Sequence, residues 1–251
     1  MSVGKVALVT ASGKQRIGWH VARALAERGH AIAVHYFRSA AQAAETVAAF
    51  QALGIAAAAY QADLSDEGAV QALFRGVVGR FGRLDVLVNC AGVWEARKLE
   101  ATTAADVRSH FEANALGSFL CAREAGLVMV KQPEGGCIVN IGDWADVRPY
   151  QDYVGYFMSK GAVHSLTRSL AVELASRNPR VRVNAILPGP VQLPPDMSEE
   201  ERRQVVNATL ARREGSPENI ARAVLALVEN DYIYGVCLPV DGGRTIYARG
   251  D

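Results

Sequence analysis

The chain has 251 residues, half of them hydrophobic and 21% charged, with a formal net charge of +1. That length suits one α/β domain with a single large core, and the composition excludes a disordered chain. The near-neutral balance excludes any broad electrostatic attraction to nucleic acid or to an anionic membrane surface.

Residues 5–10, KVALVT, form a short apolar run that suits a strand buried on both faces. Residues 16–29 carry helical spacing and stop at Gly29. Strands are then expected over 31–36, 56–61, 84–89, 136–141, 181–187 and 236–240. Helices are expected over 39–53, 65–81, 102–129, 153–176 and 216–228. Repeated strand–helix alternation implies right-handed crossovers, hence a single-domain, Rossmann-type, doubly wound parallel sheet of about seven strands with helices on both faces. Segment 188–211 carries Pro188, Pro190, Pro194 and Pro195 and then the acidic stretch 198–201. It reads as the least regular part of the chain, and 188–215 is expected to form a flap over a site at the carboxyl ends of the strands.

Cys90, Cys121, Cys137 and Cys237 are far apart, with no Cys-x-x-Cys pair. They read as small buried hydrophobes in a reducing compartment, with no metal site expected. The opening MSVGKVALVT lacks a basic segment followed by a long apolar stretch. No apolar run approaches the roughly 18 residues that span a bilayer, so no membrane partner and a cytoplasmic location are expected.

The turn after the first strand, Thr10 to Gly18, leads into a helix N-terminus. Such a turn offers backbone N–H groups and a positive dipole end to a pyrophosphate. Ser12, Gly13, Lys14, Arg16 and Ile17 are its candidate cofactor contacts. The second strand ends His35-Tyr36-Phe37-Arg38-Ser39 without the acid that would bind an NAD ribose. Arg38 can pair with a ribose phosphate and Ser39 can donate to it, so the expected cofactor is NADPH.

Tyr156 and Lys160 stand four apart near the start of a helix and share one face. An ammonium beside a phenol lowers a pKa that is near 10 in isolation, which suits proton exchange with a substrate oxygen. Around this pair fall Asn89-Cys90-Ala91-Gly92, Asn114, Asn140-Ile141-Gly142-Asp143 and Pro188-Gly189-Pro190, each at a strand end or in the helix beside one.

This combination resembles the short-chain dehydrogenase/reductase family over essentially the whole chain. The resemblance implies that Asn89 lies near the cofactor's adenosine side, with Ala91 and Gly92 following it. It implies Asp63 and Leu64 near the adenine, His35 and Tyr36 in the cofactor site, and Lys160 on the nicotinamide ribose. Asn114 would hold a water in a relay to Lys160 and Tyr156, and Val191 would meet the nicotinamide. A homotetramer is implied, with 102–129, 153–176 and 236–240 as contact surfaces.

Most members place a serine where Asp143 stands, and an ionised carboxylate cannot donate to a carbonyl oxygen. Asp143, the basic turn and the His35–Ser39 strand end are similar to the pteridine reductase branch. There Trp94 would stack a flat heterocycle against the nicotinamide, with Tyr153 and Leu193 completing the substrate site. The first turn is one residue longer than in that branch, and Trp94 replaces Phe. Reduction of another ketone, a β-ketoacyl thioester or a cyclic imine is the alternative, and a non-catalytic NADPH-binding regulator is a third. Trp144 and Tyr150 are not separable from packing residues at this level.

Overall fold

The computed structural model describes residues 4–247. Seven parallel strands form one sheet in the order β3-β2-β1-β4-β5-β6-β7. They are β1 Val6–Val9, β2 Ala31–Tyr36, β3 Ala57–Gln61, β4 Val86–Asn89, β5 Gly136–Ile141, β6 Val181–Pro188 and β7 Cys237–Val240. The order reverses between β1 and β4, and in an open parallel sheet such a switch point opens a crevice at the strands' carboxyl ends.

Alternate side chains divide the core. Val6 and Leu8 of β1 enter one apolar layer, shared with Leu73 and Phe74 of α3 (Glu67–Phe81) and Leu120 and Met129 of α5 (Gly117–Met129). Ala7 and Val9 enter the other, with Val21 and Leu25 of α1 (Ile17–Ala26), Phe50 of α2 (Ala40–Ala52) and Ile220 of α8 (Pro217–Glu229). Burial on both faces explains why β1 and residues Val86–Val88 of β4 read as continuous apolar runs rather than alternating ones.

The helix starts follow their caps. Asp66 opens α3 by accepting the Ala69 N–H at 2.6 Å, and Gly82 closes it in the left-handed conformation at φ 78°. The expected single helix over 102–129 is interrupted: α4 (Ala104–His110) passes through a π-helical turn, Phe111–Leu116, into α5. There the Gly117 N–H bonds to the Glu112 carbonyl, one residue further back than an α-helix would reach.

Segment 188–211 is more regular than expected, because it contains α7, Glu199–Asn207. Ser198 and Glu201 form a reciprocal capping box that nucleates it. α6 spans Val154–Ala175. Among the described residues no helix is long and apolar enough to cross a membrane, and all four cysteines are unpaired.

Candidate active site

A cavity of about 500 Å³ lies at the carboxyl ends of β4, β5 and β6. Tyr156 and Lys160 enter it from the first turns of α6, Asp143 and Trp144 from the loop after β5, and Gly92 to Trp94 from the loop after β4. Pro188, Gly189, Val191, Leu193, Met197 and Val205 close the far side.

Tyr156 Oη donates to Asp143 Oδ2 at 2.6 Å. The other carboxylate oxygen accepts the Ala145 N–H at 2.8 Å, capping a short 3-10 turn, Trp144–Asp146. Asp143 is therefore both a structural acceptor and a partner of the phenol. Burial raises its pKa above the usual carboxylate range, against the opposing pull of the Tyr156 hydrogen bond. Burial and then the Asp143 charge hold the Tyr156 phenol well above its ordinary value. This reverses the expectation that Lys160 lowers it. Lys160 donates through Nζ to the Ile141 carbonyl at 2.8 Å and lies 6.0 Å from the Tyr156 ring centre, and burial lowers its own pKa. The charge in direct contact with the phenol is a carboxylate, which stabilises the protonated form.

Asn114 sits in the π-turn. Its Nδ2 donates to Val93 O at 3.0 Å and to Ser159 Oγ at 2.9 Å, while its Oδ1 accepts the Val93 N–H at 2.8 Å. Both amide hydrogens have partners. The side chain clamps the loop after β4 onto α6. Gly92 is required there: a Cβ would stand 2.9 Å from Asn114 Oδ1 and 3.6 Å from Lys160 Nζ.

The turn after β1 is braced from below. Thr10 Oγ1 accepts the N–H groups of Cys90 and Ala91 at 2.8 and 2.9 Å, stitching β1 to the loop after β4. Ser12 is buried; its hydroxyl donates to Val9 O at 2.7 Å and its N–H to His35 O at 3.1 Å. His35, expected in the cofactor site, stands beneath this turn. It is buried, its Nδ1 accepts the Ala11 N–H at 3.0 Å, and its Nε2 lies 3.1 Å from Ala62 O. These partners select the neutral ring protonated at Nε2, and burial lowers its pKa to about 4. Ala11 holds φ 51°, where a glycine is easier, and His35 secures that conformation.

Gly13 lies against Ala43 and Tyr36, and a Cβ on Gly18 would meet the Ala11 carbonyl at 2.8 Å, so the chain turns tightly into α1. Lys14, Arg16 and Arg38 are exposed; Ile17 lines the cavity. Arg38 lies 4.8 Å over the Phe37 ring, and Ser39 starts α2 with its hydroxyl unused as a cap. Asp63 accepts from the Ser65 N–H and hydroxyl at 3.0 and 2.7 Å, which lowers its pKa, while Leu64 is buried in the core.

Asn89 ends β4. It is buried inside the sheet, donating to Ser118 O at 3.1 Å and to Asn140 Oδ1 at 2.9 Å, and so ties β4 to β5 and α5.

Trp94 stacks on Tyr153 with ring centres 5.1 Å apart and planes 10° apart, and its Nε1–H donates to Tyr150 Oη at 3.3 Å. Tyr150 packs edge-on against Tyr153 and Phe157 and faces Trp144 at 6.3 Å. Trp144 and Tyr150, not separable from packing residues in the sequence, thus belong to one aromatic wall. Sequence reasoning missed Thr10, Ser159 and Arg244. Thr10 stood in the turn as a polar strand end, whereas Arg244 carries no spacing signal at all.

The turn into α1, the tight glycine packing and the crevice at the switch point are the features that accommodate a dinucleotide pyrophosphate. A family model described as Enoyl-(Acyl carrier protein) reductase matches residues 11–245. The chain is 33% identical to 3beta-hydroxysteroid dehydrogenase 1 of Eggerthella lenta, covering 97% of this chain and 95% of that protein. It is 33% identical to a 3-oxoacyl-acyl-carrier-protein reductase of Staphylococcus aureus, covering 97% and 99%. The solved structure of acetoin dehydrogenase from Enterobacter cloacae superposes with a TM-score of 0.88 at 36% identity, covering 99% of this chain and 97% of that one. The chain belongs to the short-chain dehydrogenase/reductase family, whose fold implies a nicotinamide cofactor and oxidoreductase chemistry.

Proposed function

We propose that this protein is an NADPH-dependent reductase that protonates a flat cyclic substrate, a pterin or a similar heterocycle, from Tyr156. The observation that carries the reading is the 2.6 Å bond from Tyr156 to Asp143 inside a cavity walled by the stacked Trp94 and Tyr153. A planar ring fits beside such a wall. Asp143 can accept from a ring N–H or amino group more strongly than a serine would.

The Ser12-to-Gly18 turn and Pro188–Val191 would hold the dinucleotide, with Lys160 on its ribose. Arg38, with Lys14 and Arg16 exposed on the neighbouring turn, would take the 2′-phosphate, and β2 ends without a competing acid. The bound nicotinamide supplies the hydride. Tyr156 gives its proton to the substrate nitrogen or oxygen as the adjacent carbon is reduced. The proton lost from Tyr156 is replaced from solvent, and the Lys160 ammonium, 6.0 Å from the Tyr156 ring centre, offsets the negative charge left on the oxygen.

The relatives' names favour a second reading, reduction of a ketone such as a 3-oxoacyl thioester or a steroid. A screen of NADPH oxidation with biopterin, dihydrobiopterin, folate, cyclic imines, acetoacetyl thioesters and 3-ketosteroids separates the two. Turnover of a pterin or imine supports the first. Turnover confined to thioesters or steroids replaces it with the second.

The exposed apolar side chains of Phe111 and Phe119 in the α4–α5 run and of Met158 and Val172 on α6 suit burial between subunits of a tetramer. Four free thiols and a cellular reductant as cofactor suit the cytoplasm.

A further inference from the structure

We infer that Arg244 sets substrate specificity by binding a carboxylate at the end of the substrate remote from the carbon that is reduced. This rests on the reductase reading above and names the substrate class for the same cavity. Arg244 follows β7 in a loop locked by Asp241, whose carboxylate accepts the Gly243 N–H at 2.9 Å and the Thr245 N–H at 2.6 Å. Its guanidinium lies 4.9 Å over the Trp144 ring, and Nη1 donates to the Val205 carbonyl on α7 at 2.8 Å. It lines the cavity that holds Tyr156 and Asp143.

The neighbouring arginines are accounted for. Arg202 pairs with Glu214 at 2.6 Å, Arg148 donates through Nη1 to the backbone carbonyls of Arg244 and Tyr247, and neither lines this cavity. Among the described residues Arg244 has no carboxylate partner, and its Nε and Nη2 edge has no acceptor. Burial and the nearby Arg148 charge both disfavour this cation. A partly buried guanidinium with one open fork edge matches a planar carboxylate bidentately.

The charges also orient such a molecule. Asp143 repels an anion at the Tyr156 end, while Arg244 attracts it at the α7 end, where Leu193, Met197 and Val205 offer apolar surface for the body. A cyclic ketone or imine acid therefore enters with its reducible bond toward Tyr156.

The test is calorimetric titration of the full chain, with and without NADP⁺, using 2-naphthoate and its neutral counterpart 2-naphthamide. Wild type is expected to bind the carboxylate tenfold or more tightly than the amide, about the effect of a charge-assisted pair. Arg244→Leu should erase that ratio, and Arg244→Lys should keep only part of it. Equal binding of the two ligands by wild type, or no binding of 2-naphthoate at millimolar concentration, overturns the inference. So does equal weakening of both ligands in Arg244→Leu, which marks a residue that only braces α7. Because this readout needs no turnover, failure of the reductase reading would appear in the NADPH assay alone.

Discussion

Tyr156 and Asp143, 13 residues apart, share a 2.6 Å hydrogen bond in which the phenol is the donor. The pairing leaves the tyrosine protonated at neutral pH, the state needed to give a proton rather than to take one. In the absence of cofactor, ultraviolet titration of wild type against Tyr156→Phe should show no phenolate from this residue below about pH 10, the value of an unperturbed phenol. Asp143→Asn removes the charge that opposes ionisation, so the phenol should then ionise at lower pH. A Tyr156 phenolate forming near neutrality in the cofactor-free wild type would contradict this.

Turnover depends on the same oxygen. Tyr156→Phe should lower kcat by about 10²- to 10⁴-fold, the range for a positioned proton donor. NADPH affinity by fluorescence titration should stay nearly unchanged, since no cofactor contact is assigned to the hydroxyl. Retained turnover would remove Tyr156 from the chemistry.

Cofactor choice should rest on Arg38. Arg38→Ala is expected to raise the Michaelis constant for NADPH by tenfold or more and leave that for NADH nearly unchanged, as loss of a charge-assisted phosphate contact requires. Parallel changes for both cofactors would eliminate the phosphate role.

His35 gives the fold an acid limit. Its pKa falls from 6.5 free to about 4 folded, so the folded state prefers the neutral ring. The resulting stability is present above pH 6.5 and is lost as pH falls through the window down to about 4. The shift corresponds to roughly 3 kcal/mol. Urea denaturation at pH 7.5 and 4.5 should show His35→Gln losing less stability than wild type over that interval. Identical losses would mean that His35 does not titrate in this way.

Two glycines should respond oppositely to alanine. At Gly18 the new methyl would meet backbone oxygens at 2.8 and 3.0 Å, so Gly18→Ala should cost about 1–3 kcal/mol and weaken NADPH binding. Gly161, inside α6, has nothing within 4 Å of the place a methyl would take, so Gly161→Ala should stabilise by about 0.5–1 kcal/mol. Thermal denaturation distinguishes the two.

Much of the fold was readable because its signals are local. Apolar runs marked every strand, and Gly29, Gly54 and Gly82 marked helix ends with positive φ. The π-turn at Phe111–Leu116 was not readable, because it is held open by Asn114 gripping Val93 and Ser159, neither of them near it in the chain. α7 was missed although Ser198 and Glu201 carried its capping signature; four prolines upstream and a polar composition outweighed it.

The amino-acid sequence by itself determined the element order, the Tyr156–Lys160 spacing and the basic, acid-free end of β2, since each depends on neighbours within a few positions. Tertiary structure alone decided how those groups behave. It buried His35 and Asn89 as braces, turned Asp143 toward the phenol, and left Arg244 with an open edge above Trp144. Desolvation and through-space charge set a proton's position and a ligand's orientation, and both depend on residues that only folding brings together.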